Sequence, residues 1–322
     1  MNLKAMNGCT PLSFAAKYRY EAVVKLLLTC DDIEVNLKDM DYHTPLSFTV
    51  ECRHEAVVKL LLAQDNIEVN SKDMDGHTPL SFAAKYGHEA VVKLLLAHDD
   101  IEVNSKDKYG ETPLSFAAKY RHEAMVKLLL AHDDIEVNLK DMDNHTPLSF
   151  AAEYRHEAMV KILLACNDIE VNLKDMDNCT PLSFAAKYGC EAVVKLLLSH
   201  NDIKVNSKDG FCQTPLLFAA ESRHEVVVKL LLAQDNIEVN SKDMDGHTPL
   251  SFAALNLHER VVKLLLAWDN IKVNLKDMDD HTPLSSTTKH RHEVVAKLLL
   301  TQDDIEVNSK GIPSQRCRSS SM

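Results

Sequence analysis

Glycine is scarce in this chain, with eight residues in 322. Loops that wrap a phosphate in backbone N–H groups depend on glycine, and neither G-x-x-x-x-G-K-S/T nor G-x-G-x-x-G occurs. No cofactor is therefore expected. Long hydrophobic runs are missing too. The most apolar segments, of the type AVVKLLLA, are short and interrupted by lysine, which argues against a membrane span. The opening MNLKAMNGCT lacks the apolar core of a secretory signal. Positive charge is in deficit: 36 Lys and Arg against 48 Asp and Glu give a formal net charge of −12. A uniformly acidic chain does not suit a phosphate backbone, so nucleic acid is not an expected partner. The eight cysteines, at 9, 30, 52, 166, 179, 190, 212 and 317, form no C-x-x-C pair and no regular framework. Free thiols in a reducing compartment are the expectation, which places the protein in the cytoplasm or nucleus.

What the chain has in abundance is itself. Thr-Pro-Leu begins at Thr10, Thr44, Thr78, Thr112, Thr146, Thr180, Thr214, Thr248 and Thr282, always 34 residues apart. A fixed period of this size signals stacked repeats. Threonine is a good helix N-cap, and proline at the first helical position loses nothing by lacking an N–H. TPLSFAAKY therefore starts a short helix, whose alanine pair, such as Ala83 and Ala84, admits a close neighbour. HEAVVKLLLA is a second helix. Val91, Val92, Leu94, Leu95 and Leu96 make it apolar over a wide arc, as befits a helix buried between the copies before and after it. Glu89 stands in its first turn, where negative charge suits the dipole. The following DDIEVNSKDMDG reads as a loop or hairpin arm, with Ile101 and Val103 alternating.

These residues carry a resemblance. DGHTPLSFAAKYGHEAVVKLLL resembles the ankyrin repeat, with its Thr-Pro-Leu start, alanine pair, Gly-His link and Val-Val-x-Leu-Leu-Leu second helix. The resemblance spans residues 3–310 in nine copies, and 311–322 read as a disordered, Ser-rich tail. It implies an all-α solenoid of helix–turn–helix units joined by hairpin loops, with hairpin tips and first helices lining a concave face. Members of the family usually have 33 residues per repeat and a glycine after the second helix. Here DD, DN or ND fills that bend, where Asp and Asn tolerate the left-handed conformation. The family's histidine after Thr-Pro-Leu is serine in eight copies and Leu217 in one. The style is similar to fungal arrays that follow a nucleotide-binding domain, which none of these residues encode. The glycine between the helices survives as Gly87 and Gly189; Arg19, Arg53, Arg121, Arg155, Arg223, Arg291 and Leu257 replace it. If that site has positive φ, each replacement costs about 1 kcal/mol.

Histidine forms two ladders. The first, His54, His88, His122, His156, His224, His258 and His292, occupies the position that in the family starts the second helix and hydrogen-bonds neighbouring backbone. The second, His43, His77, His145, His247 and His281, precedes Thr-Pro-Leu and is expected to be exposed near the hairpin. Zinc needs several convergent ligands, and no convincing third ligand joins these histidines, so no metal site is expected. The dipeptide His-Glu recurs without H-E-x-x-H, and no Ser, His or Asp stands in a unique motif, so an enzyme is not expected. An asparagine ladder runs Asn36, Asn70, Asn104, Asn138, Asn172, Asn206, Asn240, Asn274 and Asn308, and reads as side-chain stapling of successive loops.

Register then nominates a binding face for a protein partner. The exposed end of the first helix carries Lys85–Tyr86, Lys119–Tyr120, Tyr154 and Lys187–Tyr188; the hairpin tips carry Met74–Asp75, Met142 and Met176. Tyrosine and methionine are favoured at interfaces. Irregular tips bear Lys108–Tyr109 with Glu111, and Phe211, where specificity would enter. Against a finely tuned site, Val57–Ala84 and Val227–Ala254 are identical over 28 residues. The abrupt start at Met1 and the polar Ser286, Thr287 and Thr288 of the ninth copy suggest a piece of a larger protein. The expected function is a monomeric protein-interaction scaffold; the alternative is a non-catalytic sensor segment of a multidomain, NACHT-like regulator.

Overall fold

The computed structural model describes residues 2–289 and 293–307. Arg291, His292, Asn308, Cys317 and the tail expected over 311–322 lie outside the described residues. The chain divides into two compact units, Met1–Met176 and Asp177–Met322. The first holds α1 (Pro11–Lys17), α2 (Glu21–Leu28), α3 (Pro45–Glu51), α4 (Glu55–Leu62), α5 (Pro79–Tyr86), α6 (Glu89–Leu96), α7 (Pro113–Lys119), α8 (Glu123–Leu130), α9 (Pro147–Glu153) and α10 (Glu157–Leu163). The second holds α11 (Pro181–Lys187), α12 (Glu191–Leu198), α13 (Pro215–Glu221), α14 (Glu225–Leu232), α15 (Pro249–Leu255), α16 (Glu259–Leu266), α17 (Pro283–Lys289) and α18 (Glu293–Leu299). No strand occurs among the described residues.

Each odd-numbered helix starts as its sequence dictates. Thr78 is extended (φ −86°, ψ 164°), and its hydroxyl accepts the Ser81 N–H at 3.2 Å while Pro79 opens the helix. Serine in place of the family's histidine adds a return bond: the Ser149 hydroxyl accepts the Thr146 N–H at 2.8 Å, which closes a capping box. Within the first unit α1, α3, α5, α7 and α9 pack in sequence, and α2, α4, α6, α8 and α10 form a second layer behind them. The second unit repeats this with α11, α13, α15, α17 and α12, α14, α16, α18. The alanine pairs are wholly buried where odd helices meet. In α6, Val91, Val92 and Leu95 are buried and Leu94 and Leu96 half-buried. Each fully buried Val or Leu contributes about 1.5–3 kcal/mol, and these stripes form the core.

Among the described residues the turn between the helices is left-handed in every copy. Gly87 (φ 72°) and Gly189 (φ 67°) adopt it freely, but Arg19, Arg53, Arg121, Arg155, Arg223 and Leu257 are held at φ between 58° and 63°. The exposed pairs Arg19–Glu21 (3.4 Å) and Arg53–Glu55 (3.7 Å) recover little of that strain. The bend after the second helix differs from expectation. None of its Asp or Asn residues has positive φ; Ala97 closes α6 in the right-handed region, and His98 N–H bonds the Leu95 carbonyl at 3.1 Å. The extra residue of the period lets the chain leave the helix by right-handed turns alone.

Successive copies are stapled at three levels. The Asn104 amide donates to the Asp134 carbonyl (2.7 Å), and its oxygen accepts the Glu136 N–H (3.0 Å). Asn36, Asn70, Asn138, Asn206, Asn240 and Asn274 repeat this pinch, and Asn2 makes it at the first copy. A lysine row adds a second bond, as when Lys72 Nζ donates to the Lys106 carbonyl at 2.8 Å. At the tips a single backbone bond joins neighbours, such as Met142 N–H to the Tyr109 carbonyl at 2.8 Å.

Two outcomes test this. Asn138→Ala removes two bonds and is expected to cost about 1–2 kcal/mol in denaturant unfolding. Arg121→Gly relieves the left-handed turn and is expected to gain about 0.5–1 kcal/mol, net of the greater freedom of the unfolded chain.

Candidate functional site

The first histidine ladder is structural. His122 Nε2 donates to the Lys85 carbonyl at 3.0 Å, and His156 Nδ1 donates to the Ala118 carbonyl at 3.0 Å, each satisfying the end of the previous copy's first helix. Burial holds the His88 imidazole below its ordinary pKa, with Arg53 adding to this, and its ring lies 3.1 Å from the Glu51 carbonyl. The second ladder corrects the sequence reading. His77 is buried, and His43, His145, His247 and His281 are half-buried. The rings of His43, His77, His145 and His247 lie against phenylalanine: His77 sits 5.2 Å from the Phe82 ring and 5.5 Å from Phe116, centre to centre.

The palm also differs in detail from a simple Lys–Tyr face. Lys85, Lys119 and Lys187 reach forward to the next copy, with Nζ 5.5, 5.0 and 5.6 Å from the Phe116, Phe150 and Phe218 ring centres. The tyrosines lie on their own copies: Tyr86 on Phe82, Tyr120 on Phe116 and Tyr154 on Phe150, each 6.4 Å between centres. About half of each of those three rings still faces outward. Tyr188 is half-buried, with Lys187 Nζ 5.9 Å from its ring. Met74, Met142, Met176 and Phe211 are more than 60% exposed at their tips. Asp75 is engaged by Lys108 at 2.5 Å, and Lys108 Nζ lies 4.9 Å from the Tyr109 ring.

One groove in the first unit gathers several of these side chains. Tyr109, Glu111, Lys119, Asp141, Met142, Asp143, His145, Phe150, Glu153 and Tyr154 line about 580 Å³ between two successive hairpin tips, or fingers, and α7 and α9. Glu111 is buried, and Lys119 bonds it at 2.6 Å. Burial pulls the Lys119 ammonium pKa down, but the bond to Glu111 and its charge outweigh this and raise it overall. That pair is therefore internally neutral, which leaves Asp141, Asp143 and Glu153 to set a negative field. Burial, reinforced by the charge of Glu153, raises the Tyr154 phenol, so it stays a neutral hydrogen-bond donor at ordinary pH. The groove thus offers two tyrosine rings, the Phe150 ring and a flexible thioether around an acidic floor. Lys85, Tyr86, Met74, Asp75, Lys108 and Tyr120 lie in the same unit outside its lining, and Lys187, Tyr188 and Phe211 belong to the second unit. Glu111, Asp143 and Glu153 were visible in the sequence as irregular or ordinary acids, and only packing shows that they share a wall.

A family model described as ankyrin repeats matches seven overlapping segments, 1–73, 32–107, 65–141, 101–175, 137–209, 182–277 and 216–311. The chain belongs to the ankyrin-repeat family. Curated proteins return no match. Ankyrin repeats generally serve as non-catalytic protein-interaction modules, which agrees with a surface of rings and acids. Among the described residues, no helix is long and apolar enough to cross a membrane.

Glu111→Gln leaves the Lys119 ammonium half-buried beside Phe150 without its partner. We expect a loss of about 1.5–3 kcal/mol in denaturant unfolding. The pair's contribution is full below the ordinary lysine pKa and is lost as pH climbs through the raised one. The difference between wild type and Glu111→Gln should therefore be flat across neutral pH and shrink only in strong alkali.

Proposed function

We propose that this protein is a monomeric, non-catalytic scaffold that captures a partner protein in the groove between Tyr109 and Tyr154. The occupant is a peptide segment with an apolar side chain flanked by lysine or arginine. The observation that supports this most directly is the convergence of Tyr109, Met142 and Tyr154 around Asp141, Asp143 and Glu153. The apolar anchor sits between rings that lose little conformational entropy, since tyrosine has few rotatable bonds. Methionine adapts to its shape. The basic flanks meet the acidic wall, and they steer encounter with a protein of net charge −12. Nucleic acid does not fit so acidic a surface. The free thiols of Cys9, Cys30, Cys52, Cys166 and Cys212 support a reducing, cytoplasmic setting.

The test is selection of random displayed peptides on the full chain, followed by affinity measurement on the winners. Basic peptides with a single apolar anchor should be enriched. Tyr154→Ala should weaken them about tenfold or more, and Tyr109→Ala similarly, while Tyr86→Ala, outside the groove, leaves affinity unchanged. Enrichment of acidic peptides, or equal sensitivity to Tyr86→Ala, would contradict the assignment.

A further inference from the structure

The fingers hold a second chemistry, clearest at a finger outside the groove; one finger that shares it, Asp141–Asp143–His145, also lines the groove. Among the described residues, four fingers bring three ligand-type side chains within 4.8 Å of one another: Asp39–Asp41–His43, Asp73–Asp75–His77, Asp141–Asp143–His145 and Asp243–Asp245–His247. In these four fingers the Asp-x-Asp-x-His turn points all three at one place. One carboxylate oxygen of the first aspartate braces the turn, as Asp73 Oδ1 accepts the Asp75 and His77 N–H groups at 2.9 and 2.7 Å. At Asp73 and Asp243 the other oxygen faces the imidazole, whereas at Asp39 and Asp141 the bracing oxygen is itself the nearer one.

The finger centred on His77 shows what is missing. The His77 side chain is 91% buried, from a residual exposure of 9%. Its Nδ1 lies 3.4 Å from Asp73 Oδ2, and its Nε2 lies 3.6 Å from Asp107 Oδ2 of the next finger. The Asp107 side chain is fully buried. Neither His77 Nδ1 nor Asp107 Oδ2 has a hydrogen-bond partner. A neutral imidazole has one N–H and one lone pair. With carboxylates on both sides, one nitrogen always turns its lone pair to an oxygen lone pair, inside a pocket walled by Phe82 and Phe116. Two buried acceptors that face each other call for a cation between them. A proton would satisfy Asp73 and Asp107 alone. Asp75, which also pairs with Lys108 at 2.5 Å, adds a third carboxylate that a proton does not need and a metal can use.

We propose that the Asp-x-Asp-x-His fingers bind a divalent first-row transition metal of the zinc type, with Asp73 Oδ2, Asp75 and His77 Nδ1 as ligands at the finger described. His77 Nε2–H then points to Asp107, the carboxylate–histidine–metal arrangement that fixes a ligating imidazole. One imidazole with two carboxylates suits zinc, cobalt or manganese better than calcium or magnesium, which favour all-oxygen sites. Two ligand carboxylates balance the divalent charge. Asp75 is half exposed and gives the ion a way in. The other fingers repeat the relay across copies: His43 Nε2 to Asp73 (3.9 Å), His145 Nε2 to Asp175 (3.8 Å) and His247 Nε2 to Asp277 (3.5 Å). Each metal would thereby hold a finger to its successor. Lys108 competes at the third finger, because its ammonium already occupies Asp75; the eighth finger has the same Asp243–Asp245–His247 sequence, with Met278 where Lys108 stands.

The probe is Zn²⁺, titrated into the chelator-treated full chain by calorimetry, with histidine ring ¹⁵N shifts to show which fingers respond. Saturable uptake with movement of the His77 and His247 Nδ1 signals is expected. Asp75→Asn is an exposed change that spares the fold. It should weaken the His77 response about tenfold or more and leave His247 untouched. Lys108→Ala should strengthen the His77 response. Three results would overturn the proposal: no saturable uptake, a response confined to His132 and His200, or a His77 response indifferent to Asp75→Asn. So would a His77 ring that takes a proton at Nδ1 on mild acidification yet ignores zinc.

Discussion

Helices of seven or eight residues are too short to hold together alone in water. Every feature of this protein depends on how each such helix is held by residues about 34 positions away. Burial supplies the bulk of the energy, through alanine pairs that let first helices touch and through Val and Leu stripes shared by neighbours. Direction comes from polar groups. The asparagine pinch, the lysine-to-carbonyl row and the histidine that starts most of the second helices all run from one copy to the next. They fix its distance and register, which burial alone would leave loose. Serine after Thr-Pro-Leu keeps its bonds inside its own copy, so specificity between copies falls to these longer staples.

That division of labour explains how an otherwise repetitive surface acquires a distinct site. The groove takes Tyr109 and Glu111 from one finger, Lys119 from α7, Asp141–Asp143 from the following finger and Glu153–Tyr154 from α9. No single copy contains it. One irregular finger is enough to create it, because the staples bring an altered tip against an unaltered neighbour. Glu111 stands where five other fingers carry histidine, so the Asp–His–Asp relay is interrupted there and an ion pair with Lys119 takes its place. The same period therefore carries both arrangements.

Much of this was legible in the residues. Thr-Pro placed the first helices correctly, and the unbroken asparagine ladder announced a staple, because an amide at a fixed period has few other uses. The missing glycines between helices were read as strain, and the left-handed Arg19, Arg53 and Arg121 bear that out. Other features were not legible for physical reasons. The lysine row reads as solvated charge, since sequence does not show a carbonyl waiting one copy away. His77 looked exposed because its loop is polar, while its burial comes from Phe82 and Phe116 of two different copies. The bend after the second helix was assigned a left-handed residue by analogy with glycine, and one added residue made that unnecessary. Of the nominated binding residues, Tyr109, Lys119, Met142 and Tyr154 share a groove; pairing Lys119 with Glu111 required knowing which finger hangs over which helix.

Within the first unit, fingers and first helices form one preassembled surface. Amide hydrogen exchange at Met142 tests it most directly. This N–H is bound only by the Tyr109 carbonyl of the preceding finger, at the rim of the groove. If copies are stapled as described, it should exchange only in the same opening that exposes the amides of α7 and α9, with a matching free energy. Exchange at the rate of an unfolded loop, with those helices still protected, would mean that the fingers swing freely and that no groove stands ready for a partner.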